Sequence, residues 1–555
     1  MSASPGVDRS IRITKPDGRP EIRVGVDIAR MTDAAIGALA HDGATYQRAG
    51  KIVAVVTVPD GPMRLVRGVK RMAGTQTIIP LISGSLRERC SSAAHWVKFD
   101  GRREAFTETT PPENVISAIL ARGEWGGIRP LVSVATCPQL RPDGSILQRH
   151  GYDEETGILY WPSDAFPDVA ENPGLDDARG ALEAIREVVC DFPFARPEHE
   201  SAWIAGLLTM LARPAIDGPV PMFAVDATTR GTGKSRLVDA ASTIALGHHC
   251  ARTSMPEDDD EMRKRITSLV LDGDPSVCLD NIVAPLAMPS LDAVLTSMTW
   301  KDRLLGKNAN VTAPHRIVWW ATGNNLVMGG DISRRALHIR LESSLENPEE
   351  RSGFAHPNLL QWVAGERRRL VVSGLTLMRA YMLAVAAGTA RYEGGLWGSF
   401  EEWSRIICGA LAWAGAADPL LARATQDPAL DDEKRALKVL IEGLNRLCPV
   451  QYPGAPVSPL PARAIIAALY PDHDPHDGPL APDGYDDFRD VIEQETRCLP
   501  GKKPEARRLG KWLQRVRGRV VGGWCVQRHE GAGHSACWRA EPSGESQPGM
   551  ADSHK

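Results

Sequence analysis

"VPMFAVDATTRGTGKS", the stretch from Val220 to Ser235, decides the fold expected for this chain. Its apolar first half predicts a buried strand, and the segment "SRLVDAASTIAL" that follows predicts a helix. A glycine-rich turn between a strand and a helix gathers backbone N–H groups at the positive helix end, which favours a bound phosphate. The usual pattern has a glycine five places before Gly233, where this chain has Thr228. The stretch therefore predicts a nucleotide-binding loop with one altered position.

The residue types within the turn suit phosphate and metal binding. A glycine allows a phosphate to approach the backbone closely, where a side chain would block it. Lys234 can reach the β- and γ-phosphates, and the Ser235 hydroxyl can bind Mg²⁺. We expect ATP and Mg²⁺ as cofactors, bound by Thr229, Arg230, Gly231, Thr232, Gly233, Lys234, Ser235 and Arg236. The alternative is a chance Gly-Thr-Gly-Lys-Ser turn, and the flanking strand and helix argue against it.

Two further apolar segments end in polar residues. "SVCLDNI" predicts a strand that ends at Asp280 and Asn281, and "HRIVWWATGNN" predicts one that ends at Asn324 and Asn325. We expect Asp280 at the tip of the strand neighbouring the loop strand, where a carboxylate completes the Mg²⁺ site together with Ser235. Alone, Asp280 would more simply cap a turn. An amide at the third strand tip could orient an attacking water.

Adjacent arginines follow the third strand in "GDISRRALHIRL". Arg334 and Arg335 could act as a finger that reaches the nucleotide of a neighbouring subunit. This interpretation requires a homo-oligomer, for which we expect a ring, most simply a hexamer. The alternative is a surface cluster of ion pairs.

Composition restricts the classes of protein to consider. The 555 residues carry a formal net charge of −4, so affinity for nucleic acid must come from local patches. The ten cysteines contain no CxxC pair, which favours a reducing, cytoplasmic compartment. The first residues lack the apolar core of a signal peptide, and no run of about 18 apolar residues predicts a membrane span.

The pattern along the chain predicts several domains. Continuous apolar strands alternating with helices indicate a parallel sheet that is covered on both faces. The expected divisions are a disordered start (1–20), an α/β adaptor domain (21–150), a linker and helical collar (151–216), an ATPase core (217–345), a helical lid (346–428), a winged-helix domain (429–540) and a disordered tail (541–555).

The predicted C-terminal domain contains a basic helix, "EARRLGKWLQRVRGR". Its apolar residues form one stripe, and a strand, a turn and another strand follow, as in a winged helix. We expect this helix to contact DNA through Arg507, Arg508, Lys511 and Arg515. The alternative is a solvated basic face.

Two sets of possible metal ligands occur in the same domain. The first set is Cys525, His529, His534 and Cys537. Two cysteines and two histidines suit zinc, but their spacing matches no common zinc finger, so this site is not favoured. The second set, His473 and His476, is expected to lie in a loop.

The order of these parts resembles the AAA+ core of superfamily 3 helicases, and in particular poxvirus-type primase-helicases and phage or plasmid replication ATPases. The likeness covers roughly residues 218–342. It implies an α/β fold class: an AAA+ P-loop NTPase core with a mixed α/β N-terminal domain, a helical collar and lid, and a C-terminal winged-helix domain. It also implies that Lys234 and Ser235 are the Walker A lysine and hydroxyl, and that Asp280 is the Walker B carboxylate.

The resemblance assigns two further roles. Asn324 or its neighbour Asn325 matches the sensor asparagine, and Arg334 and Arg335 match the arginine-finger region. Superfamily 3 enzymes are similar in having a hairpin before the sensor strand that points into the pore of a hexamer. The matching stretch is Lys301–Arg316, where Lys307 at the turn would grip single-stranded DNA; the alternative is a solvated hairpin lysine.

The chain departs from the family at two positions. Thr228 replaces the first loop glycine, a position that these helicases often vary. Asn281 stands where many AAA+ ATPases have a catalytic glutamate, and an amide cannot accept a proton from water. Either another acid, such as Asp226 or Glu261, does that work, or hydrolysis is slow.

The expected function is that of an ATP-dependent DNA helicase, translocase or replication initiator of a phage, plasmid or other mobile element. Its expected partners are single-stranded and duplex DNA, further copies of the chain, and a primase or polymerase encoded nearby. The alternatives are a DNA-binding protein that uses ATP only as a switch, and an AAA+ component of a defence or mobile-element system that works with a partner enzyme.

Overall fold

The computed structural model describes residues 18–58, 64–66, 69–162, 164–229, 231–303, 310–329, 331–343, 348–425, 432–447, 458–470, 484–499, 502–531 and 535–543. The chain divides into two compact units, Met1–Gln426 and Asp427–Lys555.

The first unit begins with short strands and three helices. These elements are β1 (Glu21–Val24), α1 (Ile28–Asp42), β2 (Tyr46–Arg48), β3 (Lys51–Thr57), β4 (Arg64–Val66), β5 (Val69–Arg71), β6 (Gln76–Pro80), α2 (Ser83–Ala93), β7 (His95–Asp100), β8 (Ala105–Glu108), α3 (Glu113–Ala121), β9 (Arg129–Pro130), β10 (Ser133–Ala135), β11 (Gln139–Leu140), β12 (Ile146–Leu147), β13 (Gly151–Asp153) and β14 (Ile158–Tyr160). Gly43, with a φ of 70°, ends α1, and the β-branched residues after Lys51 form β3. The segment from Arg129 to Leu140 is divided into β9, β10 and β11, because Pro130 and Pro138 have no N–H to continue a ladder.

The central part of the unit alternates strands with helices. Its elements are α4 (Leu175–Val189), α5 (Pro197–Ala212), β15 (Met222–Ala227), α6 (Lys234–Leu246), β16 (Ala251–Thr253), α7 (Asp259–Asp272), β17 (Ser276–Ile282), α8 (Pro289–Leu295), β18 (Thr299–Arg303), β19 (Asn310–Pro314), β20 (Val318–Asn324) and β21 (Ala336–Leu341). The main sheet has the order β21-β15-β20-β17-β16-β5-β4. Its first five strands are parallel, as predicted, and β5 joins antiparallel to β16.

The sheet is covered on both faces, which confirms the prediction from its continuous apolar strands. Side chains of successive strand residues point to opposite faces. Trp320 and Phe223 therefore pack with α5 and α6 in one core, while the adjacent Trp319 and Met222 pack with α7 and α8 in another. All four residues are at most 1% exposed.

The first unit ends in helices: α9 (Leu359–Ala386), α10 (Glu401–Trp403) and α11 (Gly409–Trp413), with a π-helical turn at Ser404–Cys408. Trp397 and Trp403 are buried, as expected for core tryptophans. By length and composition α9 could cross a membrane, but half of its most apolar window is buried within this unit. Its buried face packs in the same core as α5 and α6, as a core helix does.

The second unit combines helices with a four-stranded antiparallel sheet. Its elements are α12 (Asp432–Leu447), β22 (Leu460–Pro461), α13 (Ala462–Leu469), α14 (Asp486–Thr496), α15 (Ala506–Val516), β23 (Val520–Val521), β24 (Trp524–Glu530) and β25 (Ala536–Pro542). The segment "VVGGWCVQRHE" after α15 forms a hairpin of β23 and β24, because Gly522 and Gly523 both have positive φ, as a tight hairpin turn requires. A second hairpin, β24–β25, follows.

Candidate functional site

The glycine-rich turn lies between β15 and α6, where the sequence predicted it. Gly231 and Gly233 have φ values of 76° and 90°, which favour glycine. A Cβ atom at Gly233 would also come within 2.9 Å of the Phe192 ring. Gly233 caps the start of α6 without a side-chain hydrogen bond, so the first N–H groups of the helix remain available to an anion.

Lys234 folds back over the turn. Its Nζ donates to Thr229 O at 3.2 Å and lies 3.3 Å from Thr232 Oγ1. Burial lowers the pKa of Lys234, because a half-buried ammonium group loses hydration. Among the described residues, Thr229 Oγ1 is one of the buried polar atoms without a hydrogen-bond partner. An anion bound in the turn would balance the positive charge of the Lys234 ammonium group and would accept a hydrogen bond from Thr229 Oγ1.

The other predicted loop residues differ in position. Thr232 is buried, whereas Arg236 is exposed on α6. Arg230 lies outside the described residues.

Asp280 lies beside Ser235 despite an unexpected strand order. The prediction that it ends the neighbouring strand is wrong, since β20 separates β17 from β15. The Ser235 hydroxyl nevertheless donates to Asp280 Oδ1 at 3.3 Å, because α6 begins over the carboxyl ends of these strands. A hydroxyl and a carboxylate at this distance are the oxygen donors that Mg²⁺ prefers, so the residues fit the expected ion.

Asp280 has two further partners that the sequence interpretation missed. Thr322 Oγ1 donates to Oδ1 at 2.6 Å, and Arg252 donates to Oδ2 at 2.7 Å. Burial acts to raise the pKa of Asp280, but the Thr322 hydrogen bond and the Arg252 charge outweigh it and lower that pKa. The carboxylate is therefore ionised at neutral pH. Arg252 also pairs with Asp239 on α6, so it links the helix that follows the glycine-rich turn to the β17 tip.

The structure distinguishes the two asparagines at the end of β20. Asn324 is partly buried, and its Oδ1 has no hydrogen-bond partner among the described residues. Asn325 is exposed and has a φ of 47°, beyond the end of the strand. Because Asn324 pairs in register with Ala227, the last residue of β15, its amide is the better placed of the two beside the turn.

The two acids considered in place of Asn281 lie in different environments. Asn281 is exposed with a φ of 56°. Asp226 is fully buried, accepts from Leu326 N at 2.9 Å and lies 3.0 Å from His338 Nε2. It also pairs with Arg340. Asp226 is therefore occupied as a structural group, and its proposed role as the proton acceptor is wrong.

Glu261, the second acid considered, lies in the first turn of α7. It pairs with Lys264 at 3.7 Å and with Arg265 at 3.3 Å. These pairs are within its own helix.

The two arginines of the expected finger have different environments. The Arg334 side chain is 71% exposed and pairs only with Asp331 among the described residues. Arg335 is 22% exposed, pairs with Asp331 at 3.1 Å and Asp292 at 3.4 Å, and also donates to Asp292 O. Arg335 therefore makes its contacts within its own chain, and the Arg334 side chain is the more exposed of the two.

A cavity of about 230 Å³ adjoins the turn. One wall is the turn itself, at Gly231–Gly233, and a second wall is formed where α4 ends, at Phe192. The third wall follows β21, where the Arg351 guanidinium lies 5.0 Å from the centre of the Phe354 ring. Aromatic and guanidinium faces of this kind suit a planar nucleobase.

The predicted DNA-binding positions lie on two elements. β18 and β19 form the expected antiparallel hairpin, while Lys307 lies outside the described residues. On α15 the predicted inward stripe is confirmed: Leu509, Trp512, Leu513 and Val516 are buried. The opposite face exposes Arg507, Arg508, Lys511 and Arg515.

The basic residues of α15 differ in their partners. Arg508 donates to Thr496 O at 3.3 Å and lies 3.6 Å from Glu505, and Arg515 pairs with Glu495. Within the described part of the chain, Arg507 and Lys511 have no ion pair. These two cations are the most available for phosphate.

The described residues give no support to a zinc site in the second unit. Cys525 and His529 are four residues apart on β24, about 13 Å along a strand, too far to bind one ion. His529 Nε2 instead lies 2.8 Å from Glu541 Oε1. His534, His473 and His476 lie outside the described residues, and no group of three metal-binding side chains occurs among those described.

No protein-family model matches the chain, and no curated protein matches it. Similar solved structures include two of the NrS-1 C-terminal region in its apo A form, which are 12% and 13% identical with TM-scores of 0.32 and 0.34. Each covers 82% of this chain, and this chain covers 98% of each. A JCV helicase bound to a thiazolopyridine-type acetamide is 14% identical over 38% of this chain and 61% of its own, with a TM-score of 0.19. TM-scores below 0.5 do not by themselves establish a shared fold or function.

Proposed function

We propose that this chain is a Mg²⁺-dependent ATPase that drives movement on, or remodelling of, DNA. The observation that carries the proposal is the pairing of Ser235 with Asp280 at the start of α6. Two oxygen donors lie there beside a glycine-rich turn, a lysine and uncapped helix N–H groups. This is the set of groups that a nucleotide triphosphate with Mg²⁺ requires.

Each group has a defined task in the proposed reaction. The turn and the first N–H groups of α6 would bind the phosphates, and Lys234 would neutralise charge on the β- and γ-phosphates. Ser235 and Asp280 would hold Mg²⁺, which supplies charge stabilisation to the phosphoryl group being transferred. The Asn324 amide would orient the attacking water. Phe192, Phe354 and Arg351 would enclose the nucleobase.

Two basic features, one in each unit, would couple the protein to DNA. The β18–β19 hairpin is the proposed element for gripping single-stranded DNA. The exposed face of α15, in an arrangement of helices followed by hairpins that resembles a winged helix, is the proposed element for holding duplex or origin DNA. A phage, plasmid or mobile-element helicase, translocase or replication initiator is the role that combines these parts.

The proposed assembly into a ring, most simply a hexamer, is supported by Arg334. Its guanidinium is exposed, whereas the neighbouring Arg335 is occupied within the subunit. A cation that completes a neighbouring nucleotide site requires a second copy of the chain. A primase or polymerase is a further proposed partner.

A second candidate function is an ATP-switched DNA-binding protein without motor activity. Asn281 favours it, because its exposed amide cannot accept a proton and Asp226 is unavailable. Steady-state ATPase assays with and without single-stranded DNA separate the two functions. A motor gives DNA-stimulated turnover, and a switch gives tight ATP binding with turnover that DNA does not change.

A further inference from the structure

A second cavity, of about 310 Å³, lies at the other end of the main sheet from the nucleotide turn. Asp217, Pro275 and Ile317, which line it, each precede one of the parallel strands β15, β17 and β20. The nucleotide turn follows the carboxyl end of β15. The two cavities are therefore distinct sites, and a ligand in this one would not compete directly for the turn.

Three arginines line this cavity, and their hydrogen bonds are to uncharged groups: backbone carbonyls and, for Arg213, the Met298 sulfur at 3.9 Å. Arg213 donates to Ile216 O and Gly218 O, both at 3.0 Å, and Arg316 donates to Ile216 O at 3.1 Å. Arg48 donates to Leu131 O, Val132 O, Val270 O and Pro314 O. Arg48 and Arg213 are each 6% exposed, and Arg316 is partly buried.

The carboxylates near these arginines form no ion pair with them, although Asp217 attracts Arg213 and Arg316, and Asp272 attracts Arg48, from a longer distance. Asp274 faces the cavity but pairs with Arg71, and Asp217 is exposed. Glu155, also in the wall, is exposed. Across the part of the chain that the structure describes, no carboxylate lies within ion-pair distance of Arg48, Arg213 or Arg316. Since burying a guanidinium without a counterion is unfavourable, the cavity has an excess of positive charge that an anion would balance.

Unpartnered polar atoms belong to the same wall. The Nε atoms of Arg48 and Arg213 and the Oε1 atom of Gln76 are buried and have no hydrogen-bond partner among the described residues. The guanidinium groups of Arg48 and Arg213 and the amide of Gln76 in this wall favour a ligand with both anionic oxygens and a hydroxyl or amide donor. Burial lowers the pKa of Arg213 to about 9 and that of Arg48 to about 10, so both remain charged at neutral pH.

We propose that this cavity binds a small phosphate monoester. Its volume is at the lower end of the range for small-molecule sites, and the depth of Arg213 favours a small ligand over a polymer strand. Its walls join the N-terminal segment at Arg48, the end of the β18–β19 hairpin at Pro314 and the start of β20 at Ile317. Occupancy would fix these three elements together, so the ligand would stabilise one arrangement of the proposed DNA hairpin.

The test is a binding titration of glycerol 3-phosphate to the full-length Lys234→Ala protein, with uncharged glycerol as the matched ligand control. The Lys234→Ala change weakens the nucleotide turn, which would otherwise also bind phosphate. Calorimetry is expected to show binding of glycerol 3-phosphate and none of glycerol. Adding Arg316→Gln, at a partly buried position, is expected to weaken binding about tenfold or more, since it removes a charged hydrogen-bond donor.

Two controls make the titration decisive. Arg179→Gln, at an exposed residue of α4, is expected to leave the affinity unchanged. Arg213→Lys retains the charge in a smaller group and is expected to weaken binding if its circular dichroism spectrum remains native. Absence of binding, or equal affinities in the Arg316→Gln and Arg179→Gln proteins, would overturn the proposal. Displacement of the ester by a short oligothymidylate that itself requires Arg316 would also overturn it, by assigning the cavity to DNA.

Discussion

Ser235 Oγ lies 3.3 Å from Asp280 Oδ1, although the strands that lead to these two residues are separated by β20. The contact exists because parallel strands end at the same edge of the sheet and α6 starts above that edge. It brings together a hydroxyl and a carboxylate whose pKa is lowered, and these are the two protein ligands proposed for Mg²⁺.

Asp280→Asn is expected to remove the Mg²⁺ dependence of nucleotide binding and to reduce ATP hydrolysis by about 100-fold or more, because one anionic metal ligand is lost. Titration of a fluorescent ATP analogue with and without Mg²⁺ measures the first effect. Asp176→Asn, at a 99% exposed carboxylate, is the matched control and should behave as wild type. A retained Mg²⁺ response in Asp280→Asn would exclude Asp280 as a ligand.

Arg334→Ala is expected to reduce ATPase activity by about 1,000-fold without changing nucleotide affinity, since an arginine finger acts on the transition state in trans. Arg335→Ala is expected to lower thermal stability, because it removes contacts to Asp292 and Asp331. Activity assays and thermal unfolding of both variants separate the two roles.

Mixing two inactive variants tests the trans geometry further. A mixed ring of Lys234→Ala and Arg334→Ala subunits contains interfaces with one intact nucleotide turn and one intact finger. Partial recovery of ATPase activity on mixing is expected. No recovery, from proteins shown to co-assemble by mass measurement, would contradict a finger in trans.

Asp226→Asn is expected to destabilise the first unit by about 3 kcal/mol at neutral pH, because it removes the buried partner of Arg340. Burial acts to raise the pKa of Asp226, but hydrogen bonds involving His338 and Leu326 N and the Arg340 charge lower it overall. A lowered folded-state pKa contributes stability above the ordinary value of 3.8, and this contribution is lost as pH falls below that value. The difference in Tm between Asp226→Asn and wild type, measured from pH 7 to pH 3, should therefore decrease only below about pH 4. A difference in Tm that is constant with pH would argue against an ionised Asp226.

Arg507→Ala and Lys511→Ala are each expected to weaken binding to duplex DNA irrespective of sequence. Each should reduce the slope of log affinity against log salt by about 0.9, the value for one phosphate contact. Fluorescence anisotropy over a range of salt concentrations measures this. Lys438→Ala, at an exposed lysine of α12 in the same unit, is the control and should leave the slope unchanged. Equal slopes in all four proteins would assign the basic face of α15 to solvation alone.

The local features of the site could be predicted from the sequence. The turn at Gly231–Gly233 and the inward stripe of α15 depend on periodicity and glycine placement, which neighbouring residues determine. Features set by distant residues were missed. Arg252 is on a three-residue strand with no pattern of its own, and it reaches Asp280 only because β16 pairs with β17.

The same distinction explains the errors. The order of β15, β20 and β17 depends on pairing between segments that are far apart in sequence, so adjacency in the chain predicted the wrong neighbour for β15. Asp226 looked available because its sequence neighbours are a strand and a turn. His338 and Arg340, which occupy it, come from β21, more than 100 residues later. Burial, strand register and backbone conformation distinguish Asn324 from Asn325, and none of these is visible in the sequence "GNN".

Nucleotide hydrolysis at the glycine-rich turn is proposed to be coupled to DNA. The steady-state ATPase rate of the full-length protein should be measured with and without single-stranded DNA, for wild type, Lys234→Ala and Lys98→Ala, a control at an exposed lysine of β7. DNA-stimulated turnover is expected in wild type and Lys98→Ala, and about 100-fold less in Lys234→Ala, since the lysine neutralises the transferred phosphoryl group. ATP hydrolysis that is unchanged in Lys234→Ala, or that does not respond to DNA in wild type, would contradict the proposed coupling.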